Sequence, residues 1–336
     1  MKFSVNAADL INLGSAINAA LTVSLNNLSH KEPQLVANMV FHLPRAINSL
    51  SFSGGFSVKS GGVFVHGQPF VKCDSFPLVK PASVELGDLL LLRTGKHNGS
   101  VLDRRAMLIQ AKKFKKLPVL SVDQNQHHLY AQWPEFEYVR SGNLSGEKRH
   151  IQGIDLYNGS KYLLIGPKDV CAFCSPCCSS KKCIAAFHSF PISCHCVLTA
   201  QPSEPELSHY RCVLNEVFDF ILGDAGKTYT TPPPSKSRNW DRVIDDLTTS
   251  TAKRTSVFMG TASSGMSRSR GVSLCCMVGV FDSTSILCKA GIPEGVYGGG
   301  LNGPPEVPLE PEFDEEGHGG ISTIEFVVES EGEIRG

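Results

Sequence analysis

Glu85-Leu-Gly-Asp88-Leu-Leu-Leu-Leu-Arg93 and Ala106-Met-Leu-Ile-Gln110-Ala-Lys112-Lys113 are two apolar runs that each carry polar residues at one end. Between them lies Thr94-Gly-Lys-His-Asn-Gly-Ser100, a Gly/Asn/Ser stretch that reads as a hairpin turn. Asp88 and Gln110 are equidistant from Gly99, so antiparallel pairing about that glycine sets them side by side. Side chains alternate along a strand, which puts Gln110 and Lys112 on one face and Met107, Ile109 and Ala111 on the other. An acid, an amide and an amine therefore converge at one end of a buried hairpin. Residues Asp88, Gln110 and Lys112 are the candidate active site.

The flanking sequence supplies helices and strands to cover this hairpin. Residues 1–30 read as a helical lead-in. Gln34 to Leu50 has a second helical pattern, with Pro33 near its first turn and Ser29 as a cap, and Pro44 is expected to kink or shorten it. Ser51 to Val65 reads as a pair of short strands, Gln124 to Trp133 as a helix ended by Pro134, and Lys161 to Gly166 as a buried strand. Further on, Leu207 to Leu222 reads as an amphipathic helix stopped by Gly223, and Trp240 to Leu247 as another. Residues 261–273 read as a mobile loop. Gly303-Pro-Pro305 and Glu310-Pro-Glu-Phe-Asp-Glu-Glu316 mark 291–320 as an acidic Gly/Pro linker. Ile321 to Glu329 is strand-like and is expected either to join a sheet or to bind a partner. The division this implies is a domain over 31–200, a helical region over 201–290, the linker, and a terminal strand and tail over 321–336.

A chain of 336 residues can bury a full core, and its 41% hydrophobic and 19% charged content is that of a globular protein. The formal net charge is zero, so a nucleic-acid surface must be a local patch. No uninterrupted apolar run is long enough for a membrane span, since Asp9, Asn12 and Asn18 break up Ala7 to Leu25. That stretch also lacks a basic leader, so an amphipathic helix, no membrane contact and a cytoplasmic location are expected. Twelve cysteines of irregular spacing fit a reducing compartment.

An Asp followed one hairpin later by Gln-x-Lys at the end of an apolar strand resembles the PD-(D/E)xK nuclease superfamily, and Gln110-Ala111-Lys112 is most similar to its Mrr-type restriction endonucleases. The likeness spans roughly 32–166. It implies a restriction-endonuclease-like α/β fold, a mixed central sheet flanked by helices, here with a helical C-terminal addition. It further implies Mg²⁺-dependent DNA hydrolysis. Asp88, Gln110 and the Ala111 carbonyl would hold the metal, and Lys112 would orient the attacking water and neutralise developing charge. Where the superfamily usually carries an acid this chain has Gln110, which lowers the charge of the metal site. Glu32 is the only acid of 31–50 available as a further ligand, while alternation puts Glu85 on the face opposite Asp88. Lys113, Lys115 and Lys116 form a basic cluster suited to phosphate contact, with Arg104 and Arg105 nearby. His127, His128, Trp133, Glu135 and Glu137 follow downstream.

A second conspicuous feature is Cys171-x-x-Cys174-x-x-Cys177-Cys178 followed by Cys194-His195-Cys196, a Cys-rich insertion over 171–196. Cys171, Cys174, Cys194 and Cys196 could enclose a structural Zn²⁺; an iron–sulfur cluster and metal-free buried cysteines are the alternatives. Gly223-Asp-Ala-Gly-Lys-Thr228 ends like a phosphate loop, but Ile221 replaces its first glycine and prolines follow where a helix is needed. The functional expectation is a DNA-cutting effector of a bacterial restriction or antiviral defence system, gated by a regulatory or sensor protein and capable of homo-oligomerisation. The competing expectation is a non-catalytic nucleic-acid-binding or assembly subunit with a zinc-stabilised Cys-rich module.

Overall fold

The computed structural model describes residues 5–65, 69–115, 122–153, 156–167, 195–259, 266–268, 274–299, 301–307 and 320–331. The chain is mixed α/β, built on a central mixed sheet flanked by helices. Its middle is the hairpin of β4 (Leu89–His97) and β5 (Ser100–Lys113). Antiparallel pairing runs from Leu89 opposite Ile109 to Gly95 opposite Asp103, slips by one residue, and ends at His97 opposite Ser100. Asn98 and Gly99 close it with φ of 47° and 77°, the positive values a two-residue type I′ turn requires.

Beyond β5 lies β8 (Ser160–Pro167), parallel to it, then β9 (His195–Gln201) and β10 (Ser208–Cys212). On the other side of β4 comes β15 (Ser322–Ser330), parallel to β4, then β1 (Phe56–Val65), β13 (Leu274–Phe281) and β12 (Met266–Arg268). Short β11 (Lys227–Thr228) pairs with β5 and β14 (Gly295–Tyr297) with β13. Strands from both sides of residue 200 thus share one sheet. A second sheet, ordered β3 (Val84–Glu85), β2 (Phe70–Lys72), β6 (Phe136–Val139) and β7 (Lys148–Arg149), has no counterpart in the sequence reading.

The central strands are buried on both faces, which is why Leu89 to Leu92 reads as an unbroken apolar run. Leu89, Leu91, Met107, Ile109 and Ala111 join a core with α1 (Ala7–Leu25), α2 (Glu32–Asn48) and α5 (Val213–Leu222). Leu90, Leu92 and Leu108 join the opposite core with α3 (Gln124–Gln132), α6 (Trp240–Met259) and the short α7 (Ile286–Lys289). A four-residue α4 (Leu156–Gly159) precedes β8. By length and composition α1 could cross a membrane, yet Leu13, Ile17 and Leu25 are fully buried in the first core.

Several local expectations are corrected. Residues 56–65 form one ten-residue strand, not two. The stretch 201–290 is mixed, not helical: Ser208–Cys212 is a strand, because pairing with β9 overrides the helical pattern that begins in earnest at Val213. Helix α6 runs on to Met259, since Thr248 and Thr255 turn their hydroxyls back onto the Ile244 and Thr251 carbonyls and can be buried. The 291–320 linker contains β14. Gly223, at φ 88°, is the C-cap of α5 as expected.

Pro44 does not end α2, which continues to Asn48 with Lys31, not Ser29, as its N-cap. The helix instead lies very close to β1. A Cβ on Gly62 would sit 2.6 Å from the Val40 carbonyl oxygen and 3.1 Å from Pro44 Cγ. Val40 is the residue whose carbonyl Pro44 cannot serve. Replacing Gly62 with Ala is expected to cost about 1–3 kcal/mol, because the clash is with backbone and forces helix and strand apart; urea unfolding of the variant measures it.

Candidate active site

The Asp88 N–H donates to the Ile109 carbonyl at 2.9 Å, extending the hairpin ladder by one step. That step brings the Asp88 carboxylate against Gln110, as the hairpin symmetry predicts. One carboxylate oxygen, Oδ2, accepts from the Ala111 N–H at 2.7 Å and from Gln110 Nε2. Gln110 Oε1 accepts from Gln126 Nε2 at 2.7 Å, and Gln126 Nε2 also reaches the Glu85 carbonyl at 3.1 Å. The network fixes the Gln110 amide: turned over, it would set an acceptor against the carboxylate and a donor against a donor. Asp88, Gln110 and Gln126 are each at most 4% exposed, so these bonds form away from bulk water.

Helix α3 supplies the part of the site missed in the sequence. Asp123 caps it by accepting from the Gln126 N–H at 2.9 Å, and Trp133 ends it in the left-handed region at φ 46°. Gln126 and Tyr130, four residues apart on one helical face, both point at the start of β4. Tyr130 donates its hydroxyl to the Leu86 carbonyl at 2.7 Å, and a Cβ on Gly87 would meet that hydroxyl at 2.9 Å. The i, i+4 spacing of these two polar residues was the available signal, obscured by the adjacent histidines.

Lys112 and two further acids complete the electrostatics. Burial pushes the Glu85 carboxyl up to about 7, helped by the charges of Asp88 and Glu32 and opposed by Lys112. Alternation misplaced Glu85 because it belongs to β3 in the other sheet, and the chain turns at Leu86-Gly87 before β4 begins. Glu32, at the start of α2, accepts from the Lys113 N–H at 3.1 Å. A raised carboxyl pKa holds its proton more tightly folded than unfolded, so its cost is absent below pH 4.5 and complete above about 7. Glu85→Gln should therefore raise stability at pH 8 by up to about 3 kcal/mol. The gain should vanish near pH 4.5, as read by urea titrations at the two pH values in EDTA.

Other candidates are engaged elsewhere. Lys113 Nζ donates to the Leu28 and His30 carbonyls in the connection between α1 and α2, which removes it from the proposed phosphate-contact set. Lys115 is exposed, and Lys116 lies outside the described residues. His127 donates to the Ser203 carbonyl, His128 lies between Ser75 and Glu204, and Trp133 Nε1 donates to Ser160. Glu135 pairs with Arg238 and Glu137 with Lys72. Cys171, Cys174 and Cys194 lie outside the described residues, as do the side chain of Cys196 and with them the zinc expectation. Cys212, Cys275 and Cys276 are buried.

Among the described residues no group of three or more His, Cys, Asp or Glu side chains is placed to hold a metal ion. The charge balance at Asp88 nevertheless suits a hard cation. Glu85 is driven toward its neutral form by burial first, and then by the charges of Asp88 and Glu32 against that of Lys112. Mg²⁺ is commonly held by one or two carboxylates with water. Asp88 fits that role; Gln110 could share it only by turning its carbonyl away from Gln126. No family model, curated protein or solved structure matches the chain.

Proposed function

We propose that this chain is a Mg²⁺-dependent nuclease of the restriction-endonuclease-like kind that hydrolyses DNA phosphodiester bonds. The observation that carries the reading is the Asp88–Gln110 pair at the end of a central hairpin, with Lys112 two residues on and Glu32 and Glu85 in its field. Structural needs alone do not explain a carboxylate and two carboxamides buried together beside the half-buried Glu85 and Glu32.

In this reading Asp88 holds the cation, which supplies Lewis-acid stabilisation of the phosphate and lowers the pKa of a bound water. Lys112 orients that water and offsets the charge developing on the phosphate oxygens. Gln126 fixes Gln110, and Gln110 fixes Asp88. Lys115 and Lys116 would meet the DNA backbone. An unregulated nuclease harms its host, so the reading includes a gating partner and a role in defence against invading DNA.

Plasmid cleavage in Mg²⁺ by the full chain, compared with Lys112→Ala, tests the reading. Lys112→Ala is expected to lower kcat about a hundredfold. Equal, metal-independent inactivity of wild type and variant would overturn it. The second reading, a non-catalytic nucleic-acid-binding subunit, draws on the Gln110 amide, whose two polar ends are both already satisfied. Under that reading DNA is retained on a gel but never cut.

A further inference from the structure

Tyr162 lies on β8 opposite Gln110 in the parallel ladder, so its side chain emerges on the same face of the sheet, one strand beyond the Asp88–Gln110 pair. It is fully buried. Its ring packs against Tyr130, with centroids 5.6 Å apart, and meets His127 edge-on at 6.3 Å. Tyr130 gives its hydroxyl to a backbone carbonyl, but the Tyr162 hydroxyl has no hydrogen-bond partner among the described residues. A buried donor without an acceptor is destabilising, and phenylalanine would fill the same space without that cost. Burial, with the Asp123 and Asp88 carboxylates nearby, holds the phenol far above its ordinary range, so it remains a donor. Asp123 Oδ1 accepts from the Gln126 N–H at the cap of α3, whereas Asp88 is bonded to Gln110, the residue opposite Tyr162 on the neighbouring strand. Isolated buried polar groups of this kind are commonly met by an internal water that bonds to two or more neighbours.

We infer that Tyr162 is a positioning residue of the proposed site: its hydroxyl donates, through one buried water, to the Asp88 carboxylate and fixes the direction in which that carboxylate meets the cation. The inference rests on the nuclease reading and deepens it. Groups that orient a metal-binding side chain typically change metal affinity by ten- to a hundredfold, about the scale expected here.

The test is Tyr162→Phe in the full chain, with Tyr229→Phe as control. Tyr229 also carries a buried hydroxyl without a partner, but it lies near Arg104, toward the turn end of the hairpin. Each variant is melted in EDTA, titrated with Mn²⁺ by thermal shift, and assayed on plasmid DNA. Tyr162→Phe should melt in EDTA at or above the wild-type temperature. It should need about tenfold more Mn²⁺ for half its shift. Its kcat should fall about tenfold with KM for DNA unchanged. Tyr229→Phe should alter neither the Mn²⁺ midpoint nor kcat. Wild-type Mn²⁺ response and kcat in Tyr162→Phe, or equal losses in Tyr229→Phe, would overturn the assignment alone. A wild type that neither cuts nor differs from Asp88→Ala in its Mn²⁺ response would remove the nuclease reading, and the role of Tyr162 with it.

Discussion

A chain ending at Gly320 should not fold cooperatively. The segment it lacks forms β15, which lies between β1 and β4 and pairs with nine residues of β4 and eight of β1. Ile324, Phe326 and Val328 fill the core beneath α1 and α2, each fully buried. Their burial is worth about 1.5–3 kcal/mol apiece. Removing the strand also strips hydrogen-bond partners from both neighbours in the middle of the sheet. Glu325, on the other face, accepts from the Ile286 N–H at 2.6 Å and the Leu287 N–H at 3.2 Å, and from the Ser285 hydroxyl, so truncation orphans the start of α7 as well. Losses of this size are comparable with the about 5–15 kcal/mol by which whole domains are stable. Circular dichroism during urea unfolding should show a sigmoidal transition for the full chain and a featureless slope for the truncated one. A cooperative melt within a few degrees of the full chain would mean that β15 is an accessory strand after all.

Asp88→Ala should combine a large loss of activity with a measurable loss of stability. Removing the carboxylate takes away the proposed cation ligand, and cleavage of plasmid DNA should fall by about a hundred- to a thousandfold or more. It also leaves the Gln110 carboxamide and the Ala111 N–H without their acceptor inside the protein. Each orphaned donor costs about 1–3 kcal/mol, partly offset by relief of the like charge on Glu85. Asp88→Asn separates the two effects. Its carbonyl oxygen can still accept from Ala111, so stability should recover toward wild type while activity does not. The same variant should lower the Glu85 titration midpoint from about 7, because Asp88 is one of the charges that raises it. An Asp88→Asn protein that cuts DNA at the wild-type rate removes Asp88 from the chemistry.

The hairpin was legible because three signals coincided: two apolar runs, an Asn-Gly turn and polar residues symmetric about it. The two-residue turn alone would set Leu89 opposite Leu108; the one-residue slip between Gly95 and Lys96 restores the register centred on Gly99, with Leu89 opposite Ile109. The separation of Gln110 from Ile109 and Ala111 onto opposite faces follows from strand alternation. Glu85 shows where this logic stops. Alternation holds only within a strand, and the change of sheet at Leu86-Gly87 cancelled it. Gln126 and Tyr130 illustrate a different failure: their polar groups matter because α3 crosses the end of β4, and a nine-residue helix carries no local mark of what it will cross.

By itself the sequence determined the local chemistry of this protein: a buried hairpin, the pairing of Asp88 with Gln110, and the helices around them. Those features depend on residues close in the chain, where backbone geometry and side-chain periodicity leave few choices. Tertiary structure alone decided that the last strand stands at the centre of the sheet, between β1 and β4. It also gathered Glu85, Gln126 and Tyr162 around the Asp88–Gln110 pair, and set Glu32 beside Lys113. Apart from that of Glu85, these contacts join segments tens to hundreds of residues apart, and the apolar pattern of a buried strand specifies that it will be covered without specifying by what.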